Sequence, residues 1–204
     1  MKDIDILTKR VTEMKANGML DGQIADELNI SRETIVWLLT HAGKKEGVRA
    51  PKDLSISWGN IGESSYRMRC VSDAMVDLVL DNIGSFDGTD VVVGIAVSGI
   101  PLASIVANEL DARLAIFHPN KQLLGGENVD ANGIFSQSFA DVKGANCMIV
   151  DDVITTGMTL VETTRHLTSA GAKPAAITVL VDKLGQDTIE GVPVYPLLRI
   201  LWVV

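Results

Sequence analysis

The sequence predicts an α/β fold built on a largely parallel sheet, preceded by a small helical domain. Three observations predict it. Short β-branched runs such as Val91-Val-Val-Gly-Ile-Ala-Val97 are apolar throughout, as strands buried on both faces are. These runs alternate with stretches of helical period, the pattern of a sheet joined by crossover helices. The first forty residues depart from this alternation and read as three helices in succession.

At 204 residues the chain suits one core domain with a small appendage. We divide it into 1–49 and 50–204. With 47% hydrophobic and 22% charged residues it is globular. Its apolar runs are too short to span a bilayer, and Met1-Lys-Asp-Ile-Asp lacks the apolar core of a secretory signal. Cys70 and Cys147, the only two cysteines, each sit in an apolar pattern and read as reduced core residues. His41, His118 and His166 have no metal-ligand spacing. The expectation is a cytoplasmic protein with no membrane partner. The first 49 residues hold eight Lys/Arg and eight Asp/Glu, so the whole net charge of −8 falls on 50–204. That acidity argues against non-specific nucleic-acid binding by the large domain and leaves the N-terminal segment as the DNA-facing part.

Residues 5–17 form the first predicted helix, with Ile6, Leu7, Val11 and Met14 on one face and Asn17-Gly18 as its stop. Asp21 is placed to cap a short helix through 28, with Ile24, Ala25 and Leu28 inward. Asn29-Ile30 makes a tight turn, since Asn tolerates left-handed geometry. Ser31 is a natural N-cap for a third helix that turns Ile35, Leu38 and Leu39 inward. This spacing resembles a helix-turn-helix, in which the start of the second helix enters the major groove. Ser31, Arg32 and Glu33 would face DNA, with Trp37 and Thr40 further along. The alternative is a helical hairpin used for oligomerisation. Residues 43–52 are polar with Gly and Pro and form the boundary, with room for a β-wing in which Lys44, Lys45 and Arg49 meet phosphates.

In the large domain a helix spans 66–83, with Met68, Val71, Met75, Leu78 and Val79 inward, closed by Gly84 to Gly88. A strand follows at 91–97, then Ser98-Gly-Ile-Pro101 and a helix at 102–110. Residues 114–117 form a strand and 118–141 a long polar loop. A strand at 147–151 leads into a helix at 157–170, and further strands lie at 175–181 and within 192–200.

The most informative run is Met148-Ile-Val-Asp-Asp-Val-Ile-Thr-Thr-Gly-Met-Thr159. A buried strand ends in two carboxylates, and a hydroxyl- and glycine-lined turn then opens a helix. Backbone N–H groups at such a helix start bind a phosphate without a cation. Gly157 permits close approach, and Thr155, Thr156 and Thr159 add hydroxyls. Asp151 and Asp152 are placed to accept hydrogen bonds from vicinal ribose hydroxyls. The dinucleotide pattern GxGxxG is absent from this turn.

This run resembles the phosphoribosyl-pyrophosphate (PRPP) motif of type I phosphoribosyltransferases and is close in wording to orotate phosphoribosyltransferase. The resemblance implies that PRPP binds with Mg²⁺, and that Asp151 and Asp152 stand near the metal through PRPP. Gly94 to Ala103 resembles the family's pyrophosphate loop, implying that backbone amides at Val97, Ser98 and Gly99 hold the diphosphate and that a cis non-proline peptide lies near Val97–Ser98. Residues 118–141 match the family's mobile catalytic loop, but Lys121 is the only Lys or Arg from His118 through Ala140. Ser98 stands where some enzymes place a lysine, and Asp182-Lys183 where they tend to have Asp-Arg. Loss of cations beside a departing diphosphate costs several kcal/mol of transition-state stabilisation.

The whole order, helix-turn-helix then phosphoribosyltransferase-like domain, resembles the archaeal regulators of sugar catabolism called the GfcR subfamily. It implies a DNA-binding dimer whose large domain senses PRPP or a related phosphosugar or nucleotide as effector. The alternative is a base phosphoribosyltransferase of the orotate type, in which Lys121 carries the loop's catalytic role.

Overall fold

A computed structural model describes residues 2–41, 51–83, 88–122 and 133–201. The expected wing with Lys44, Lys45 and Arg49, the close after 83, and the middle of the 118–141 loop lie outside the described residues. The chain divides into two compact units, Met1–Trp58 and Gly59–Val204. This boundary lies beyond the one after Arg49 that the sequence predicts. Residues 53–56 belong with the first unit because four hydrogen bonds tie them back to 28–34.

The first unit is three helices, α1 (Lys2–Ala16), α2 (Asp21–Glu27) and α3 (Arg32–His41), packed on Val11, Ile24, Ala25, Leu28, Ile30, Ile35 and Leu38. Asn29 turns the corner at φ 52°, and the buried Ile30 follows it as expected. Two expectations change. Ile6 is exposed, and Leu7, Val11 and Met14 carry the α1 contact. Asp21 does not cap α2 but stands as its first residue and pairs with Lys15 at 2.6 Å. The terminal N–H of Leu20 is met instead by the Gln23 side chain at 3.0 Å.

The second unit begins with a short α4 (Gly59–Gly62) and a long α5 (Ser65–Ile83). Strands β1 (Val91–Ile95), β2 (Arg113–His118), β3 (Ile134–Phe135), β4 (Asn146–Ile154), β5 (Lys173–Asp182), β6 (Thr188–Ile189) and β7 (Val192–Arg199) form one sheet in the order β3-β2-β1-β4-β5-β7-β6. The five central strands are parallel, and the two-residue strands β3 and β6 add antiparallel edges. Helix α6 (Gly99–Glu109) connects β1 to β2, and α7 (Met158–Ser169) connects β4 to β5.

Side-chain alternation sorts the strands between two cores. Val91, Val93, Cys147 and Ile149 pack with Leu160 and Leu167 of α7. Val92, Met148 and Val150 pack with α5 and α6 through Met75, Val79, Leu102 and Val106. A sheet covered on both faces explains why its strands read as unbroken apolar runs.

Several boundaries move. The motif strand runs past both acids to Ile154, and α6 begins at Gly99, with Pro101 inside its first turn. The 118–141 stretch contains a 3-10 turn at Asn120–Gln122 and the strand β3. Cys147 is buried, but Cys70 is exposed, because the inward register of α5 runs through Ser72, Met75, Val76 and Val79. Among the described residues no helix is long and apolar enough to cross a membrane.

Candidate functional site

Parallel strands bring their C-terminal ends to one edge of the sheet, where ligands of such folds bind. Here β1 and β4 are neighbours in register from Val91↔Cys147 to Gly94↔Val150. The segments that follow them, 96–99 and 151–157, therefore meet. Gly99 marks the closeness of that meeting. A Cβ on Gly99 would lie 2.7 Å from the Val150 carbonyl oxygen, 3.1 Å from Asp151 Cα and 3.1 Å from Asp151 Oδ1. Only a residue without a side chain lets the start of α6 sit against the acidic strand end. The cis peptide expected near Val97–Ser98 lies one residue earlier, at Ala96–Val97. Val97 projects outward at 65% exposure, and Ser98 precedes α6 as its N-cap residue.

The two acids differ. Strand pairing continues through Ile154, so both acids lie within β4 and not beyond its end. Asp152 is buried at 6% exposure. Asp151 is half-buried beside Gly99, and its Oδ1 accepts the Asp152 N–H at 2.9 Å. Beyond them Thr155, Thr156 and Gly157 bend the chain into α7. Gly157 takes φ 76°, a conformation costly for any residue with a Cβ. A Cβ there would also meet Leu184 Cδ2 at 2.9 Å. Thr156 is exposed and Thr155 and Thr159 half-buried at the helix start, where the first-turn N–H groups have no intrahelical partner. Lys121 sits in the 3-10 turn beyond the end of β2, at the same sheet edge.

Sequence reasoning missed two side chains around this edge. Glu162 on α7 accepts the N–H of Asn120 at 3.1 Å and of Gly133 at 2.8 Å, joining both flanks of the 123–132 segment to the helix that starts at the threonine bend. Arg199 at the end of β7 reaches Asp182 at 3.2 Å and Asp187 at 2.7 Å. Its guanidinium is held further toward the charged form, first by the bond to Asp187 and then by the charges of Asp182 and Asp187. Asp182 itself is fully buried and accepts the N–H groups of Leu184 and Gly185. Both signals lie in contacts across many residues, with no local pattern to betray them. Among the described residues no group of three or more His, Cys, Asp or Glu is placed to hold a metal.

In the first unit, α3 presents Arg32, Glu33, Val36 and Thr40 outward and buries Thr34, Ile35 and Leu38. A depression of about 460 Å³ is lined by Arg32, Glu33, Val36, Trp37, Thr40, His41 and Pro51. Trp37 is only half-exposed; it packs against the helical core and stacks on His41 with ring centroids 5.1 Å apart. Ser31 caps α3 as expected, its hydroxyl oxygen accepting the Thr34 N–H at 3.2 Å. Its own N–H goes to Asp53 at 2.7 Å, so the residue expected to face DNA is turned into the fold. Val36 and His41 were not among the expected contacts, and both line the same surface.

Residues 57–189 match the phosphoribosyl transferase domain family. The chain is 49% identical over 98% of both chains to the transcriptional regulator GfcR 1 of Methanosarcina barkeri. It is 50% identical, again over 98% of both, to GfcR 2 of Methanosarcina acetivorans. Among solved structures it resembles the orotate phosphoribosyltransferase of Aeropyrum pernix with a TM-score of 0.58 at 17% identity, over 89% of this chain and 94% of that one. The adenine phosphoribosyltransferase of Rhodothermus marinus gives a TM-score of 0.55 at 20% identity, over 74% and 89%. These structural likenesses show the fold: a type I phosphoribosyltransferase-like sheet, here preceded by three helices.

Proposed function

This chain belongs to the GfcR family of transcriptional regulators and carries a phosphoribosyl transferase domain, and we propose that it binds DNA through its first unit and senses a phosphorylated pentose through its second. The observation that carries this reading is the pairing, in one chain, of a capped helix with an exposed polar face and a glycine-bounded sheet edge that carries an acid pair. Arg32, Glu33, Val36, Trp37 and Thr40 form the surface for the major groove, whose base edges distinguish all four pairs. Backbone amides at 97–99 and 155–159 take the diphosphate and the 5-phosphate. Asp151 and Asp152 take the ribose hydroxyls.

The ligand class is PRPP or a related phosphosugar or nucleotide. Mg²⁺ suits this donor set, since it is commonly held by one or two carboxylates together with ligand phosphates. Bound that way, it would neutralise diphosphate charge next to Asp151 and Asp152. In this reading the chain works in the cytoplasm as a homodimer on a palindromic operator, because isologous pairing matches two-fold DNA symmetry. Its targets are genes of sugar catabolism. Effector binding changes DNA affinity by favouring one arrangement of the dimer.

The acid pair also favours a second reading, an orotate-type phosphoribosyltransferase with Lys121 as the loop cation. In that chemistry a pyrimidine nitrogen attacks the anomeric carbon of PRPP and pyrophosphate leaves. One pair of measurements separates the two. A gel shift on DNA upstream of the chain's own gene is run beside a turnover assay with orotate, PRPP and Mg²⁺. A shift that responds to PRPP, with negligible turnover, is expected. Robust turnover with no shift reverses the order.

A further inference from the structure

Four hydrogen bonds fasten residues 53–56 across the turn and the start of α3. Asp53 Oδ2 accepts the Ser31 N–H and the Thr34 hydroxyl, each at 2.7 Å. The Asn29 side-chain amide donates to the Ile56 carbonyl at 3.0 Å, and the Ser55 hydroxyl donates to the Leu28 carbonyl at 2.8 Å. The Thr34 and Ser31 hydroxyl oxygens stand 2.9 Å apart. A carboxylate only accepts, so the Thr34 proton goes to Asp53 and the Ser31 proton to Thr34. Ser31 thus spends both of its donors inside the unit.

Helix ends fray, and an N-cap side chain meets only one of the four N–H groups left without an intrahelical partner. Here that turn is gripped from outside the helix by a segment some twenty residues further along the chain. Arg32 and Glu33 sit between the two gripped residues, Ser31 and Thr34. The strap then continues to Gly59, where the second unit begins. The covalent path from that unit to α3 therefore runs through it.

We propose that Asp53 is a positioning residue for DNA recognition: it touches no base, but fixes the first turn of α3 and so the direction in which Arg32 and Glu33 meet the major groove. The proposal rests on the reading of α3 as the recognition helix.

The charge of Asp53 supplies the discriminating test. A carboxylate near a DNA surface repels phosphates, so simple removal of its charge should tighten binding to every sequence. Loss of positioning should instead weaken binding to the preferred sequence alone. The full chain is titrated by fluorescence anisotropy against a duplex from upstream of its own gene and an unrelated duplex of equal length. Thermal unfolding is followed beside it.

Asp53→Ala should lower the preference for the upstream duplex by about tenfold, the order of a lost cap, while affinity for unrelated DNA holds or rises. Asp53→Asn keeps an acceptor oxygen and should stay within about threefold of the parent. Thr34→Val removes the donor at constant shape. It should move preference the same way as Asp53→Ala and add little to it, since the two report one interaction. Should Asp53→Ala fail to fold, Thr34→Val decides the matter, with Asp53→Asn as the control for lost charge. A folded Asp53→Ala chain with unaltered preference, or a Thr34→Val chain identical to the parent, overturns the positioning role while leaving α3 as the recognition helix. A parent chain that does not distinguish the two duplexes overturns both.

Discussion

In the second unit the candidate ligand site is held by main chain, whereas in the first the outward helix is held by side chains. Gly99 lets backbone approach backbone, and Gly157 turns the chain through positive φ at the sheet edge. The start of α3 depends on Ser31, Thr34 and Asp53, which cap it with hydroxyls and a carboxylate. The difference teaches where each site tolerates change. At Gly99 one added methyl group strains the cradle at once, because the neighbour it meets is backbone and yields little. A side-chain cap loosens by degrees, since each bond contributes about 1 kcal/mol.

The strongest way to test that contrast is to remove the groups expected to meet the ligand. Asp151→Ala combined with Asp152→Ala should reduce PRPP affinity by about 3 kcal/mol or more, as two hydrogen bonds to charged groups are lost. DNA affinity without effector should be unchanged, with titration calorimetry and anisotropy as the two readouts. Equal loss of both activities would dissolve the division between the units.

Gly99→Ala comes next. Its Cβ would meet the Val150 carbonyl and the Asp151 backbone, and overpacking of this kind costs about 1–3 kcal/mol. Melting temperature and PRPP affinity should fall together. An alanine chain that melts and binds like the parent would show that the cradle yields after all. Arg32→Ala should weaken specific DNA binding by about 1–3 kcal/mol while leaving both melting temperature and PRPP affinity intact. Unchanged operator affinity would remove Arg32 from the recognition surface.

The smallest effect concerns the two thiols. Burial, reinforced by Asp90 and opposed by Arg113, pushes the Cys147 thiol up to about 11 from 9.0. The unfolded chain therefore ionises this thiol first. Its contribution to stability is fully present below about pH 9 and is lost as pH rises toward 11. In the folded protein at pH 8 a thiol reagent should label Cys70 rapidly and Cys147 only on unfolding. Two fast equivalents would contradict the burial of β4.

Much of this fold was legible in the order of residues. The apolar runs at 91, 114, 147 and 175 became strands of a parallel core because a sheet covered on both faces demands continuous hydrophobicity. The turn at Asn29 and the cap at Ser31 were legible because each is a local interaction spanning at most three residues. Ile6, Cys70 and Asp21 were misread. Period alone cannot say which of two apolar flanks a neighbour covers, nor whether Asp stands at the cap or one residue inside it.

The acid pair shows the division most plainly. Sequence by itself determined that two carboxylates close a buried apolar run and precede a glycine-containing turn into a helix, since strand, bend and helix start are local choices of a dozen residues. Tertiary structure decided that β4 runs on past the acids to Ile154, that Asp152 is buried while Asp151 is only half-buried, and that Gly99 rests against Asp151. It also decided that Asp53 grips α3 and that Glu162 joins Asn120 to Gly133. Those contacts link residues 19 to 52 positions apart. They arise only when packing of the whole core brings distant backbone within hydrogen-bonding reach.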